Sequence, residues 1–153
     1  MKKILSLLVL VVTFASCEED VKFNNPAVQG FKNDELWRAA QYTATRGGDN
    51  SLTITATNGF EILTLRTSSL NPGTYTLGVN ELSKASFVVN EIELAYQTGT
   101  GLGEGEIVID ADNTDLTRGY ISGNFYFTAY DEEDAPVNFR DGVFYKVPLT
   151  VAQ

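Results

Sequence analysis

The feature that most constrains the fold is an alternation of apolar and polar residues that runs from Tyr120 to Tyr130. Successive side chains of an extended chain point to opposite faces, so a two-residue repeat predicts a half-buried β-strand. The predicted inward face consists of Ile121, Gly123, Phe125, Phe127 and Ala129. The predicted outward face consists of Tyr120, Ser122, Asn124, Tyr126, Thr128 and Tyr130. We therefore expect Phe125 and Phe127 in a core and Tyr126 outside it.

The same repeat recurs along most of the chain after Ala27. Its predicted inward rows are Leu52, Ile54 and Ala56; Val88, Ile92, Leu94 and Tyr96; Ile107 and Ile109; and Val143, Tyr145, Val147, Leu149 and Val151. β-branched and aromatic residues dominate these segments, as a pleated, half-buried surface favours. The repeat therefore predicts strands along the whole body of the chain.

Turn residues separate the predicted strands. Gly47–Asn50, Asn58-Gly59 and Asp141-Gly142 are typical of hairpin turns that need positive φ, and Asn71–Gly73 fits a turn with proline in its second position. Asn80–Ala85 alone suits a short helical turn. This punctuation predicts an all-β fold, a single antiparallel β-sandwich or flattened barrel of about 8–10 short strands. Periodicity does not separate those two architectures.

The N-terminus is typical of an export signal. Lys2 and Lys3 precede the uncharged apolar run Ile4–Ala15, and small residues stand immediately before Cys17. The run is shorter than the roughly 20 apolar residues that a membrane span requires. We therefore expect a cleaved signal peptide over residues 1–16.

Cys17 is the only cysteine, so it has no internal disulfide partner. Phe14–Cys17 is similar to the bacterial lipobox, although Phe14 replaces the usual aliphatic residue. The similarity implies that Cys17 is the lipid attachment site, and that the chain contacts a membrane through this N-terminal lipid. Residues 17–26 are then expected to be the lipidated cysteine and a tether, and residues 27–153 one β domain.

Charge and missing residue types exclude several functions. Cleavage after residue 16 leaves 9 basic residues against 20 acidic ones, a net charge of −11, which opposes nucleic-acid binding. The chain has no histidine, and its cysteine is assigned to the anchor, which excludes Ser-His-Asp and Cys-His catalysis and His-ligated zinc. A carboxylate pair, a Ser-Lys pair or an all-oxygen metal site is compatible with the composition. We expect a protein that is not an enzyme, with no metal site and no cofactor.

Two motifs resemble ligand loops but fail on spacing. Gly99–Gly105 matches neither nucleotide-binding glycine pattern and is predicted to be a hairpin loop. Asp110–Asp115 lacks the glycine and glutamate that an EF-hand loop requires, so only a different kind of cation site remains open there. Asp131–Asp134 is predicted to be a solvated turn.

Four segments after the lipobox carry a family resemblance: Leu36–Ala39, Asn71–Leu77, Ile121–Ala129 and Gly142–Phe144. In this order they resemble an uncharacterised family of small envelope lipoproteins of the Bacteroidota, over most of the mature chain. The resemblance implies an all-β body that is lipid-anchored to the outer membrane, surface-exposed or periplasmic. It implies no catalytic residue, because the family has no assigned activity. Glu18–Asp20 resembles a surface-export tag and fits a solvated tether equally well.

Tyr120, Tyr126 and Tyr130 share the outward face of one predicted strand. We hypothesise that they form a ligand platform, because aromatic faces stack on sugar rings and other flat apolar ligands, although tyrosine also favours strands for packing reasons alone. Trp37 is expected in the core. The predicted function is a non-catalytic binding or structural module with an unidentified glycan or protein partner. The alternatives are a calycin-like carrier of a small hydrophobic ligand and, less favoured, a hydrolase that uses two carboxylates.

Overall fold

The computed structural model describes residues 27–151. Its eleven strands are β1 (Val28–Lys32), β2 (Glu35–Arg38), β3 (Gln41–Arg46), β4 (Leu52–Thr57), β5 (Glu61–Thr67), β6 (Gly73–Leu77), β7 (Lys84–Val89), β8 (Leu94–Gln97), β9 (Glu104–Ile109), β10 (Tyr120–Tyr130) and β11 (Pro136–Val151). The predictions of a signal peptide, of lipid on Cys17 and of a tether over residues 17–26 concern residues outside this range. Within it, no helix is long and apolar enough to cross a membrane.

The strands form one continuous sheet in the order β2-β1-β11-β3-β4-β5-β7-β8-β10-β9-β6. Because β10 also pairs with β11, the seven strands β11, β3, β4, β5, β7, β8 and β10 close into a ring. β1 and β2 continue the sheet from β11, and β9 and β6 continue it from β10. The predicted all-β fold is confirmed, and the closed ring matches the flattened barrel.

The sheet is mixed, whereas an antiparallel one was predicted. The exception is β11 with β3, which run parallel where Leu149 faces Ala44 and Val151 faces Arg46. β11 is sixteen residues long and reaches β3 only with its last three residues, beyond its pairing with β10. The strand count exceeds the predicted one because β2 and β8, at four residues each, are too short to show a clear repeat.

Aromatic side chains from opposite sides of the ring meet in its interior. Phe139 of β11 lies 5.2 Å from Phe87 of β7, 5.0 Å from Phe127 of β10 and 5.9 Å from Trp37 of β2, measured between ring centres. Since β7 and β11 are not neighbours in the sheet, these contacts require the sheet to fold over one core. Trp37 is buried in that core, as predicted.

The predicted faces of β10 are confirmed. All five predicted inward residues are buried, and Tyr126 is 50% exposed. Ser122 is the exception on the outward face, because the loop before β10 covers it. Its hydroxyl donates to the carbonyl oxygen of Asn113 at 2.7 Å and accepts from the backbone N–H of Lys146 at 2.9 Å.

The predicted inward row from Val88 to Tyr96 is wrong at Val88 and Ile92 and in its continuity, whereas Tyr96 packs against the core as predicted. Phe87 is buried, whereas Val88 is only partly covered and Ile92 is 67% exposed. A 3-10 helix, Asn90–Ile92, interrupts the segment and separates β7 from β8. The helical turn expected at Asn80–Ala85 is instead a bend that leads into β7. Local alternation failed here because the irregular turn shifts the register within the row.

The hairpin predicted at Asp141-Gly142 is also wrong, because both residues lie inside β11. The strand bulges here: Phe125 faces Gly142, but two residues further along β10 Phe127 faces Phe139, three residues away on β11. Asp141 has a φ of 50°, which suits a bulge. A Cβ at position 142 would lie 2.5 Å from the ring of Phe125, so the glycine makes room for that core ring. The hairpins at Gly47–Asn50 and Asn58-Gly59 are confirmed, joining β3 to β4 and β4 to β5.

Phe125→Ala removes a buried ring that packs 6.2 Å from the ring centres of both Phe127 and Phe139. We expect it to lower the free energy of unfolding by about 3–5 kcal/mol. Tyr126→Ala, on the exposed face of the same strand, is the matched control, with an expected change within about 0.5 kcal/mol. Urea denaturation measures both values. Equal losses in the two variants would show that the faces of β10 are assigned incorrectly.

Candidate functional site

The three tyrosines of the predicted platform lie on β10 in different surroundings. Tyr120 has the ammonium nitrogen of Lys146 5.6 Å from its ring centre. Tyr126 is exposed in the middle of the strand, and Tyr130 is partly buried at its end, opposite Gln97 of β8. Their Cα atoms are about 20 Å and 13 Å apart at 3.3 Å per residue. A single small ligand therefore does not span all three, and Tyr130 lies in the lining of a concave site.

That site, which we call the corner cleft, has a volume of about 720 Å³. It lies where β8 meets the end of β10. Its lining consists of Ser86 and Val88 of β7, Glu93, residues 94–97 of β8, Leu102, Tyr130, and the turn residues 131–134. Apolar and aromatic surface and hydrogen-bonding groups therefore face the same volume, as in ordinary ligand sites.

The cleft forms here because the ring is weakly closed at this corner. β8 and β10 pair through one residue couple, Tyr130 with Gln97, whereas β10 and β11 pair over most of their length. The turn after Tyr130 is held in place by Asp131, whose carboxylate accepts from the N–H groups of Glu133 at 2.9 Å and Ala135 at 2.8 Å. The turn is solvated, as predicted, and it supplies one wall of the cleft.

All five charged residues that line the corner cleft are acidic. Glu93 comes from the segment before β8, and the other four, Asp131, Glu132, Glu133 and Asp134, come from the turn after β10. Carboxylates repel anions and accept hydrogen bonds from hydroxyl and ammonium groups. The cleft therefore suits a neutral or cationic ligand that offers hydrogen-bond donors and a flat apolar face.

A second polar cluster, centred on Glu61, connects β5 of the ring with β1 and β2, which extend the sheet from β11. The carboxylate of Glu61, at the start of β5, forms an ion pair with Lys32 of β1. It also accepts hydrogen bonds from the indole N–H of Trp37 and from the side chain of Asn58, both at 2.8 Å. The ammonium of Lys32 lies 5.1 Å from the ring centre of Phe87. All the polar groups of this cluster are thus paired with one another.

Burial raises the pKa of the Glu61 carboxyl, but the hydrogen bonds and the nearby ammonium charge lower it more. Its pKa therefore lies below the ordinary value, and the group stays ionised at neutral pH. The sequence reasoning missed this cluster, because Lys32 and Trp37 are far from Glu61 along the chain. The only local signal is Asn58 at the hairpin turn three residues earlier, and it indicates a turn rather than an ion pair.

The two motifs that resemble ligand loops, Asp110–Asp115 and Gly99–Gly105, form hydrogen bonds with the protein's own backbone. Asp110 accepts from the N–H of Asp112 at 2.9 Å, and Asp115 accepts from the N–H groups that follow it. In the part of the chain that the structure describes, no group of three acidic, histidine or cysteine side chains is placed to hold a metal ion. Gly99–Gly105 was predicted to be a hairpin loop, but β8 and β9 do not pair with each other and Gly105 lies within β9. In the loop between these strands, the N–H of Gly101 donates to the carbonyl oxygen of Gly78 at 2.9 Å.

A family model described as a domain of unknown function, DUF6252, matches residues 24–148. The matched range begins before β1 and ends within β11. It includes the Glu61 cluster and the corner cleft, and it ends just before the last three residues of β11, which pair with β3. No curated protein and no solved structure matches the chain.

Glu61→Gln is expected to make the free energy of unfolding less dependent on pH in the acidic range. Because folding lowers the pKa of Glu61, its ionised form stabilises the fold above the ordinary value of 4.5, and this contribution is lost as the pH falls through the folded pKa. At neutral pH we expect the variant to lose about 1.5–3 kcal/mol of unfolding free energy. The difference between wild type and variant should shrink as the pH falls below about 4.5.

Urea denaturation at a series of pH values measures this difference. Glu91→Gln, which changes an exposed glutamate of the 3-10 helix, is the control and should follow the wild type. A difference that stays constant down to acid pH would contradict the assigned role of the ion pair.

Proposed function

The chain belongs to the DUF6252 family, and on this premise we propose that it is a membrane-anchored, non-catalytic binding module of the bacterial cell envelope. The proposal has two parts, lipid anchoring at Cys17 and ligand binding in the corner cleft. The observation that carries it is the position of Tyr130. This tyrosine was singled out by its place in the strand pattern, and it lines a concave site among hydrogen-bond acceptors.

The N-terminal sequence supports the anchor. A basic pair, a short apolar run and the Phe14–Cys17 motif occur in the order of a lipoprotein signal, and Cys17 is the only cysteine. The family match begins at residue 24 and β1 begins at Val28, so a short acidic and polar stretch separates the cysteine from the domain. Such a stretch suits a tether. Membership of the envelope lipoproteins of the Bacteroidota, at the outer membrane, is part of this proposal.

A neutral glycan is the ligand class that best fits the cleft. Sugar rings have flat apolar faces that stack on aromatic side chains such as that of Tyr130. Their hydroxyl groups donate hydrogen bonds, and the wall of Asp131–Asp134 provides carboxylate acceptors. A neutral ligand needs no charge attraction, and the acidic lining disfavours anionic polysaccharides.

The filled interior favours a surface binder over a carrier of a small hydrophobic molecule. A carrier needs an internal cavity, whereas large side chains occupy the inside of this ring. The largest of the fully buried ones are Phe87, Phe125, Phe127, Phe139 and Phe144. The corner cleft opens on the outside of the ring instead, beside the partly buried Ser86 and Val88 of β7 and the exposed Ala95 and Gln97 of β8.

Cys17→Ser is expected to abolish lipid attachment and to release the protein from membranes, because the thiol is the acceptor of the lipid. Incorporation of radiolabelled palmitate in growing cells measures attachment, and membrane fractionation measures release. Ser6→Ala, which leaves Phe14–Cys17 intact, is a control that should still incorporate label. Label in the Cys17→Ser variant would disprove the lipid assignment.

Tyr130→Ala is expected to weaken glycan binding about tenfold, since an aromatic contact contributes about 0.5–1.5 kcal/mol beyond its buried area. The measurement is a screen of the purified chain against neutral and acidic glycans, followed by titration with the best neutral ligand. Tyr130→Phe keeps the ring and should retain most of the affinity.

Tyr126→Ala is the matched control, because it removes an exposed tyrosine from the same face of β10 outside the cleft. Its affinity should equal that of the wild type. The glycan proposal fails if the wild type binds no neutral glycan, or if Tyr130→Ala binds as tightly as the wild type. Thermal unfolding of each variant shows whether the β8–β10 corner is intact.

A further inference from the structure

The sheet ends in two free edges. Within residues 27–151, β2 pairs only with β1, and β6 pairs only with β9. In an antiparallel pair, every second residue directs its backbone N–H and C=O away from the partner. Each end strand therefore presents a row of backbone groups that another strand can pair with, and natural proteins usually protect such edges with charges, prolines or bulges.

The two edges differ in how they are protected. β2 has four residues, and two of them, Glu35 and Arg38, are exposed charged residues. β6 has the sequence Gly-Thr-Tyr-Thr-Leu, with no charge and no proline. Its residues include two β-branched ones and one aromatic one, which favour strands. β6 is therefore the less protected of the two edge strands and the one better suited to pair with a strand of another molecule.

The geometry of β6 limits the length of that pairing. Thr74 and Thr76 are exposed, while Leu77 is buried and Tyr75 packs partly against the core. Pro72 immediately precedes the strand, and Gly78, with a φ of 81°, ends it. Proline has no N–H to donate, so the ladder cannot continue past the start of the strand. The pairing surface is a defined five-residue segment.

We propose that β6 pairs antiparallel with β6 of a second copy of this chain, forming a twofold-symmetric dimer. A twofold axis at Tyr75 places this tyrosine opposite its own copy, and places Thr74 opposite Thr76 of the second copy. Aromatic pairs and threonine pairs are favourable cross-strand neighbours, and no like charges face each other. Because both partners use the same surface, the assembly closes at two copies and does not grow into fibres.

The uncharged composition of β6 favours a second copy of the same strand over a foreign basic segment. Glu106 on β9 faces Thr76 within the monomer, and β6 itself offers no ionic attraction. Each copy carries a net charge of −11 after cleavage, and the copies repel each other at long range. Salt screens this repulsion, so self-association should strengthen as ionic strength rises. Binding of a basic segment would weaken instead.

Sedimentation velocity of the purified chain, over a range of protein and salt concentrations, tests the proposal. The wild type should form a dimer whose population rises with salt. Thr74→Lys combined with Thr76→Lys places like charges directly opposite each other in the dimer and should weaken association at least about tenfold. The fold should persist, because residue 76 then faces Glu106 with an opposite charge.

A charge-reversed partner makes the test specific for β6. Thr74→Glu combined with Thr76→Glu should also be monomeric alone, and an equimolar mixture with the lysine variant should restore a dimer. Leu36→Lys, at a 52% exposed residue of the other edge strand, is the matched control and should dimerise like the wild type. A monomeric wild type at every concentration and salt, an unaffected lysine variant, a failure of the mixture to associate, or loss of the dimer in Leu36→Lys would each overturn the proposal.

Discussion

The fold depends on one strand, β11, which hydrogen-bonds to three different neighbours. It pairs with β10 along most of its length, with β1 on the other side, and with β3 at its end. Residues in the left-handed region at Asp141 and Lys146 bend the strand at its two register shifts. Without these bulges a sixteen-residue strand would not meet both sides of one ring. β11 thus closes the barrel and carries Phe139, around which the core rings pack.

Closing the ring has consequences for where function can be located. The interior is filled with aromatic side chains, and the corner cleft lies outside the ring, where β8 and β10 share a single residue pair. Both features follow from how the ring closes. β11 pairs with β10 over many residues, whereas β8 pairs with β10 only where Gln97 faces Tyr130. The charged side chains differ in the same way. Those around Glu61 are paired with one another and stabilise the fold, while the carboxylates of the turn after β10 face solvent.

The sequence was informative where a segment keeps one register, as β10 does. In the predicted inward row Val143–Val151, Phe144 is buried in place of Val143 and Tyr145, and Val151 is 73% exposed, because β11 shifts register near Lys146. The faces of β10 were predicted correctly because eleven residues alternate without interruption and the apolar set contains two phenylalanines. The prediction of one continuous inward row over Val88–Tyr96 failed because a 3-10 helix divides the segment, and local alternation carries no signal for such a break. Asp141-Gly142 misled because a bulge and a hairpin need the same positive φ. The bulge is set by the pairing of β11 with β10 and β1, whereas the 3-10 helix joins β7 and β8, which are consecutive in the chain.

The sequence by itself determined the all-β class, the inward face of the central strand and the exclusion of histidine chemistry, because these follow from local periodicity and composition. It also grouped Tyr130 with Tyr120 and Tyr126 on one face of that strand. Only the tertiary structure decided that Tyr130 lines a cleft whereas Tyr126 does not, and that Glu61 meets Lys32 and Trp37. It likewise decided which strands end the sheet with a free edge. These properties depend on strand order and register around a closed ring, which are set by the combined packing of distant segments and not by any one of them.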